Sequence, residues 1–406
     1  MSDEFEPLDF HRFHREELPR RLRAGNGALA AADARRLGSL AFRLPDGSAY
    51  TYLARGEADV DVLAGDERAD TVIELAPEIW QNVVYELDAA AGLLYGGRAH
   101  CKRGNPVRWL AWEPALRAMI SGRPIYDAQR AQLQGRRGEP LDPARSFQPG
   151  DDPEEMAHFL RSAGYLFARR VFSFEEIAGF LAEAEQLRAE AVPGDKLSWW
   201  GKDAKGEAVL CRVTRAAAKP RLRLLPGDPR ILALKDLADE PLEHRRPATD
   251  EEGVSIIWKH PEMREGLGDL PWHRDCGMGG HAIMCPVLVV SVFLTPATAE
   301  SGALRMLPGS WQASCGPIDA RDARAPRGVI YDAQPGDVSI HYGDTMHAAP
   351  PPERRDLDTY RISAVTGYTR PGARAHRGRY YNEVLHRRED GQIEHLAKVA
   401  ADAERD

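Results

Sequence analysis

The chain has 406 residues, 43% of them hydrophobic and 29% charged. That composition excludes a collagen, a coiled coil and a mainly disordered protein, and the length suggests two or three domains, each able to bury its own core. A net charge of −8 argues against nucleic acid as a partner, because phosphate affinity depends on neutralising Lys and Arg. The opening residues, MSDEFEPLDF, are acidic and lack the apolar core of a secretory signal. The most apolar run, Val287 to Leu294, falls far short of the ~20 residues that span a bilayer. Five cysteines (Cys101, Cys211, Cys276, Cys285 and Cys315) are scattered without a CxxC pair, which speaks against a disulfide framework or a zinc finger. A cytoplasmic protein with no membrane span is expected; no pattern sets its oligomeric state.

Residues 1–128 read as one α+β domain. SAYTYLARG and ADVDVLAG, within Phe42 to Leu63, are strand-like and follow the turn residues Asp46–Gly47. Val72, Ile73 and Leu75 make a further short strand, and Pro77 stands where a helix can begin. Ile79, Trp80, Val83, Val84 and Leu87 then keep helical spacing, and a last amphipathic segment runs from Trp109 to Ile120 before Ser121–Gly122. In this order Asp70, Ile73, Leu75, Trp80 and Gly122–Arg123–Pro124 resemble the sterol-carrier-protein-like lipid-binding fold, over Leu37 to Asp127. The resemblance implies an apolar tunnel between sheet and helices, suited to a lipid or acyl group. An unrelated α+β module fits the same residues equally well.

Residues 129–153 are charged, rich in Gly and Pro and poor in apolar periodicity, so an exposed linker is expected. Residues 154–406 then open with a helix from Glu154 that stops at Gly164, followed by a strand. A second helix spans Ser173 to Ala189, with Ser173 as its cap and Glu176 at the capping-box position. Ile177, Phe180, Leu181, Ala184 and Leu187 form its buried stripe. After Leu197 the text turns to short β-rich runs between Gly, Pro and Asp, an all-β core behind flanking helices.

Within that core the stretch LPWHRDC is the most informative. On a strand His273 and Asp275, two apart, point to the same face. One further His from a distant strand completes two imidazoles and a carboxylate, which leaves three coordination positions open and suits a non-haem Fe(II) that binds a cosubstrate and O₂. Downstream come the apolar strand Val287 to Leu294, a turn at Ala299 to Gly302, a strand from Ala303 to Leu307, and Pro308–Gly309–Ser310. QPGDVSIHYGDTMHAAPPP then supplies a strand from Val338 to Tyr342 and His347. YRISAVTGY (Tyr360 to Tyr368) alternates, with Arg361 and Ser363 on one face and Ile362 and Ala364 on the other.

These pieces, from Glu154 to about Gly372, resemble the phytanoyl-CoA dioxygenase family of Fe(II)- and 2-oxoglutarate-dependent oxygenases. The resemblance implies a double-stranded β-helix of the jelly-roll or cupin kind. It implies His273, Asp275 and His347 as iron ligands and Arg361 as the residue that grips the distal carboxylate of 2-oxoglutarate. A planar guanidinium suits that task because it binds a carboxylate bidentately and stays charged when buried. Ser291 falls where the family lines the cosubstrate pocket, and Arg212 where it has a basic pocket residue; both also read as ordinary strand residues. The implied reaction hydroxylates an unactivated C–H bond of a small, apolar or carrier-bound molecule and releases succinate and CO₂. Asp275 argues against a halogenase, which needs that carboxylate removed.

Competing readings stay open. Arg361 can instead pair with Asp356 or Asp358. His341 competes as third ligand, although a core or neighbouring histidine is the preferred reading, and His281 reads as a loop residue. Lys259 reads as solvated. The basic run Arg212 to Arg223 reads as a solvated strand face able to meet an anion such as a CoA ester. Three departures from the family pattern stand out: Ala348–Ala349 after His347, Trp311 after Pro-Gly-Ser, and Arg274 between the two ligands where phytanoyl-CoA hydroxylases carry Gln. Pocket shape is assigned to the loops Cys276 to Ile283 and Trp199 to Ala208. The alternative functions are a lipid carrier with a non-catalytic β-core, and an oxygenase that desaturates or cyclises.

Overall fold

The computed structural model describes residues 6–129, 131, 133–263, 270–275, 287–316, 318, 325–357 and 360–371. Cys276, His281, Cys285, the loop Cys276 to Ile283, and Asp358 lie outside them.

A helical run not foreseen in the sequence opens the N-terminal unit: α1 (Phe10–Arg12), α2 (Leu18–Arg21) and α3 (Gly27–Leu37), joined through π-type turns at Phe13–Glu17 and Leu22–Asn26. Asp9 caps it by accepting from the Arg12 amide. The strands follow as β1 (Leu40–Arg43), β2 (Ala49–Arg55), β3 (Asp59–Ala64), β4 (Thr71–Glu74) and, after helices α4 (Pro77–Val84) and α5 (Ala90–Tyr95), β5 (His100–Arg103). They form one sheet in the order β3-β2-β1-β4-β5, in which only the β1–β4 pair is parallel. Helix α6 (Pro106–Ser121) starts on an Asn105 cap and ends at Gly122, whose φ of 72° needs a residue without a Cβ.

The α+β expectation is met in these elements. The space between sheet and helices, where a tunnel was expected, holds Phe13, Phe42, Tyr52, Trp80, Trp109 and Trp112, all essentially inaccessible. Buried among them, His14 is stacked on Tyr50 at 4.3 Å. Its Nδ1–H donates to the Phe10 carbonyl at 2.6 Å, and its Nε2 accepts from the Tyr52 hydroxyl at 2.6 Å. Both ring nitrogens are thus satisfied in the neutral form.

Residues 129–153 are largely exposed, yet they do not hang free. Phe147 is fully buried, bridges to Ala168, and meets Phe159 edge-on at 5.3 Å. Periodicity could not reveal this, because a single aromatic anchor has no period. Helix α7 (Pro153–Ala163) then stops at Gly164 (φ 88°), where a Cβ would lie 2.5 Å from the Trp311 ring. After β6 (Tyr165–Ala168), helix α8 (Phe174–Glu190) carries the complete Ser173–Glu176 capping box.

Strands β7 (Ser198–Lys202) and β8 (Ala208–Val213) pair as a hairpin across Asp203 to Glu207. The presumed basic strand then breaks: a turn at Ala216–Ala218 leads to α9 (Pro220–Leu224) and α10 (Pro229–Asp236). Pro220 and Pro229 each open a helix, a position that tolerates the missing N–H. The remaining strands are β9 (Glu243–His244), β10 (Ser255–Lys259), β11 (Leu270–His273), β12 (Leu288–Phe293), β13 (Arg305–Met306), β14 (Val329–Ile330), β15 (Val338–Tyr342), β16 (His347–Ala349) and β17 (Arg361–Thr369).

They build a large antiparallel sheet, β6-β15-β12-β17-β10-β8-β7 with β9 on β17, and a small one, β11-β16-β13-β14. Leu288, Val290, Val292, Ile256, Trp258, Ile340, Ile362 and Ala364 turn one face of the large sheet into the core, together with α7 and α8 residues such as Leu160 and Ile177. Period two sends Ser291, Ser339, His341, Ser363 and Arg361 to the other face.

Two outcomes are expected from this packing. Phe147→Ala lowers stability by about 3–5 kcal/mol, the cost of an emptied aromatic site, read by denaturant unfolding. For His14, burial first, with His11 adding to it, lowers the pKa from 6.5 to about 3. The unfolded chain therefore takes up a proton that the native chain refuses as pH falls below about 6.5, and stability falls at up to about 1.4 kcal/mol per pH unit. His14→Gln flattens that slope in unfolding measured between about pH 7 and pH 5, where fewer carboxylates titrate.

Candidate metal centre

The site lies between the two sheets, and strand pairing assembles it. β11 and β16 are antiparallel with His273 directly opposite His347, so their rings share a face, with centroids 4.2 Å apart. Asp275 follows two residues after His273. One ligand atom from each of His273, Asp275 and His347 lies within 4.8 Å of the others, the one such group found among the described residues. Asp275 Oδ1 is 3.7 Å from both His273 Nε2 and His347 Nε2. The His347 Nδ1–H donates to the Thr345 carbonyl at 2.9 Å, which fixes the tautomer that turns the Nε2 lone pair into the site.

His341 comes from the opposite, large sheet. Its Nε2 lies 3.3 Å from Asp275 Oδ2, on the oxygen that the other two imidazoles do not approach. It sits beside the triad as the carboxylate's partner. Burial by itself would raise the Asp275 carboxyl, but His347, His341 and His273 more than offset it and hold it well below the ordinary carboxylate range. Burial pushes His347 down to about 4, against the pull of Asp275. One carboxylate oxygen beside two imidazole nitrogens is the donor set of a non-haem iron site.

Arg361 is buried on the same side of the large sheet, at 6% exposure. Its Nη1 donates to the Gly302 carbonyl at 2.8 Å, its Nε has no partner, and among the described residues no carboxylate faces it. Burial alone draws its pKa down to about 10. The proposed pairing with Asp356 is not formed: Asp356 binds Arg354 at the surface. A buried cation without an acid is costly unless an anion arrives, so this guanidinium fits a carboxylate ligand.

Arg212 lies on the same face. Its Nη2 donates to Ser255 Oγ at 2.9 Å, its guanidinium stacks over Trp199, and its Nε lacks a partner. Burial lowers its pKa to about 10, with Asp275 opposing that shift. Ser291 is buried opposite Ser339, whose hydroxyl is also unpartnered. Ser339 and Ser255 were missed in the sequence, although alternation in VSIHY puts Ser339 on the face of His341.

Lys259 corrects the solvated reading. It is 1% exposed, and its ammonium donates to the carbonyls of Ala349 and Pro350, which ties the end of β16 to the large sheet. Arg274 points out of the site, opposite to its neighbours His273 and Asp275, and lies 3.8 Å from Asp344. Trp311 stacks near Tyr342 and donates to the Arg161 carbonyl, away from the triad.

Residues 160–355 match the family model of phytanoyl-CoA dioxygenase (PhyH), a span that includes the triad and His341. Among solved structures, AviO1 from Streptomyces viridochromogenes Tue57 is 25% identical over 55% of this chain and 98% of its own, with a TM-score of 0.44. The non-heme alpha ketoglutarate dependent carbocyclase SnoK from nogalamycin biosynthesis is 22% identical over 62% of this chain and 98% of its own, at a TM-score of 0.44. EctD from S. alaskensis, with 2-oxoglutarate and 5-hydroxyectoine, is 20% identical over 62% of this chain and 90% of its own, at a TM-score of 0.46. No curated protein matches the chain.

The unpaired state of Arg361 has a measurable consequence. Arg361→Met removes a buried charge that no acid among the described residues offsets, so the metal-free protein melts at the wild-type temperature or above it, by differential scanning calorimetry. A drop of several degrees would mean that an acid does pair with Arg361.

Proposed function

From a phytanoyl-CoA dioxygenase domain at residues 160–355, we propose that the protein is an Fe(II)- and 2-oxoglutarate-dependent oxygenase that hydroxylates an unactivated C–H bond of a small molecule, with release of succinate and CO₂. The observation that carries this reading is the presence, together with the His273–Asp275–His347 cluster, of Arg361, a buried guanidinium that meets no acid among the described residues. When bound, the iron supplies the chemistry that no side chain has: activation of O₂ with 2-oxoglutarate as the source of electrons.

The chain supplies position and surroundings. His273, Asp275 and His347 hold the metal from one side and leave the other open to ligands. His341 donates to the second oxygen of Asp275 and so keeps the first turned toward the metal. Arg361 takes the distal carboxylate of 2-oxoglutarate as a bidentate pair. Ser291 and Arg212, on the same face, complete the cosubstrate pocket. Val287, Val289 and Val365 form a small apolar cluster on the site side of the large sheet, which keeps water from the reacting carbon. Asp275 occupies the position that a halide would need, which favours hydroxylation over halogenation.

An anaerobic titration of the purified protein with Fe(II) and 2-oxoglutarate tests this reading. A weak visible charge-transfer band that saturates is expected; His347→Ala removes it, and Arg361→Ala raises the 2-oxoglutarate concentration needed by tenfold or more, about 1.4 kcal/mol. Asp275→Ala abolishes iron-dependent consumption of 2-oxoglutarate. A folded wild-type protein without the band, or full turnover in Asp275→Ala, would refute the assignment.

A further inference from the structure

The strands that carry the metal ligands have a reverse side. While His273, Asp275 and His347 point inward, Trp272, Met346 and Ala348 point outward and pack with Leu307 and Cys315 into a separate small cluster. That cluster is covered by the segment leaving α6. Tyr126 packs on it and donates its hydroxyl to the Pro308 carbonyl at 2.9 Å. Backbone bonds from Ser314 to Pro124 and from Tyr126 to Ser314, both 2.8 Å, lay the segment alongside Ser314.

Arg123 starts this segment, and at 8% exposure it is buried. It lies 3.4 Å from Asp344, which in turn is 3.8 Å from Arg274, the residue between the ligands His273 and Asp275. Asp344 itself stands in the turn that leads into His347. One carboxylate therefore bridges both ligand-bearing segments and is held from outside by Arg123. Behind it, Arg123 and Arg117 each approach Glu86 of the N-terminal unit at 3.7 Å, and Arg123 also donates to the Trp311 carbonyl at 2.6 Å. All of these side chains are nearly inaccessible, so the charges act with little screening.

We infer that Arg123, a residue of the N-terminal unit outside the matched family domain, is a positioning residue for the metal centre: through Asp344 and Arg274 it sets the spacing of the two ligand strands. This rests on the metal-site reading above. Groups behind metal ligands fix ligand orientation, and their loss typically weakens metal binding about 10–100-fold. The coupling also works in reverse, so metal binding tightens the hold of the oxygenase core on the N-terminal unit.

The test is an anaerobic Fe(II) titration in the presence of 2-oxoglutarate on full-length variants, with folding checked by circular dichroism. Arg123→Met, which keeps the packing and removes the charge, is expected to weaken Fe(II) binding about tenfold or more. Arg123→Lys, which keeps the charge but loses the fork to Asp344 and Trp311, falls in between and carries the test if Arg123→Met does not fold. Phe147→Ala serves as the control for lost stability: it lowers the melting temperature yet keeps wild-type Fe(II) affinity. Wild-type affinity in the folded Arg123 variants, or an equal loss in Phe147→Ala, overturns the inference. A wild-type protein that binds no Fe(II) overturns the metal-site reading instead.

Discussion

The alternation of a β-strand is the constraint on which the site depends. β11 ends at His273, and the alternation carries on through the next two residues: Trp272 and Arg274 leave on one side, His273 and Asp275 on the other. The two ligands face the large sheet, and the tryptophan and the arginine face the N-terminal unit. A slip of one residue in the pairing of β11 with β16 would exchange these sets and turn the guanidinium toward the face that now holds the His273–Asp275–His347 cluster. Register is thus the quantity the surroundings must protect. They do so with an apolar cluster on the outer side and a carboxylate bridging the neighbouring turn.

The large sheet follows the same logic at greater scale. Its apolar face is closed by α7 and α8, which leaves the opposite face free to carry Ser, His and Arg at alternating positions. That face gathers unsatisfied groups: Arg212 Nε, Ser339 Oγ, His341 Nδ1 and Arg361 Nε have no partner among the described residues. These four, His341 among them, lie on one face, beside the His273, Asp275 and His347 cluster.

Much of this was legible in the sequence where the signal is local. The Ser173–Glu176 box fixes the start of α8, Gly164 ends α7, and the strand Val338–Tyr342 lies where its alternation places it. The spacing of His273 and Asp275 suffices to put both on one face. What escaped was long-range or context-bound. The helical run from Phe10 to Leu37 includes π-type turns that blur a 3.6-residue period. Arg212 to Arg223 looks uniformly basic, although Arg212 turns to the inner face of the large sheet beside Ser255 and Pro220 opens a helix. Lys259 was read as solvated because composition prices an ammonium for water; two backbone carbonyls offered by the end of β16 change that price. Phe147 and the Arg123–Asp344 pair depend on partners far away along the chain, which no local window contains.

The buried arginines separate by what faces them. Arg123 and Arg274 share Asp344 as a nearby carboxylate, and Arg123 also approaches Glu86, although one nitrogen of each guanidinium makes no hydrogen bond. Arg361 has the Gly302 carbonyl and, among the described residues, no acid. Arg212 stands between these cases, since Asp275 is near enough to favour its charged form while a serine and a tryptophan face are its direct partners. One residue type thus serves two ends of the same centre. Arg123 and Arg274 lie near a carboxylate behind the small sheet, and Arg361 lies on the inner face of the large one without an acid among the described residues. Burial raises the energetic stake in both, because a charge removed from water depends wholly on the partner it is given.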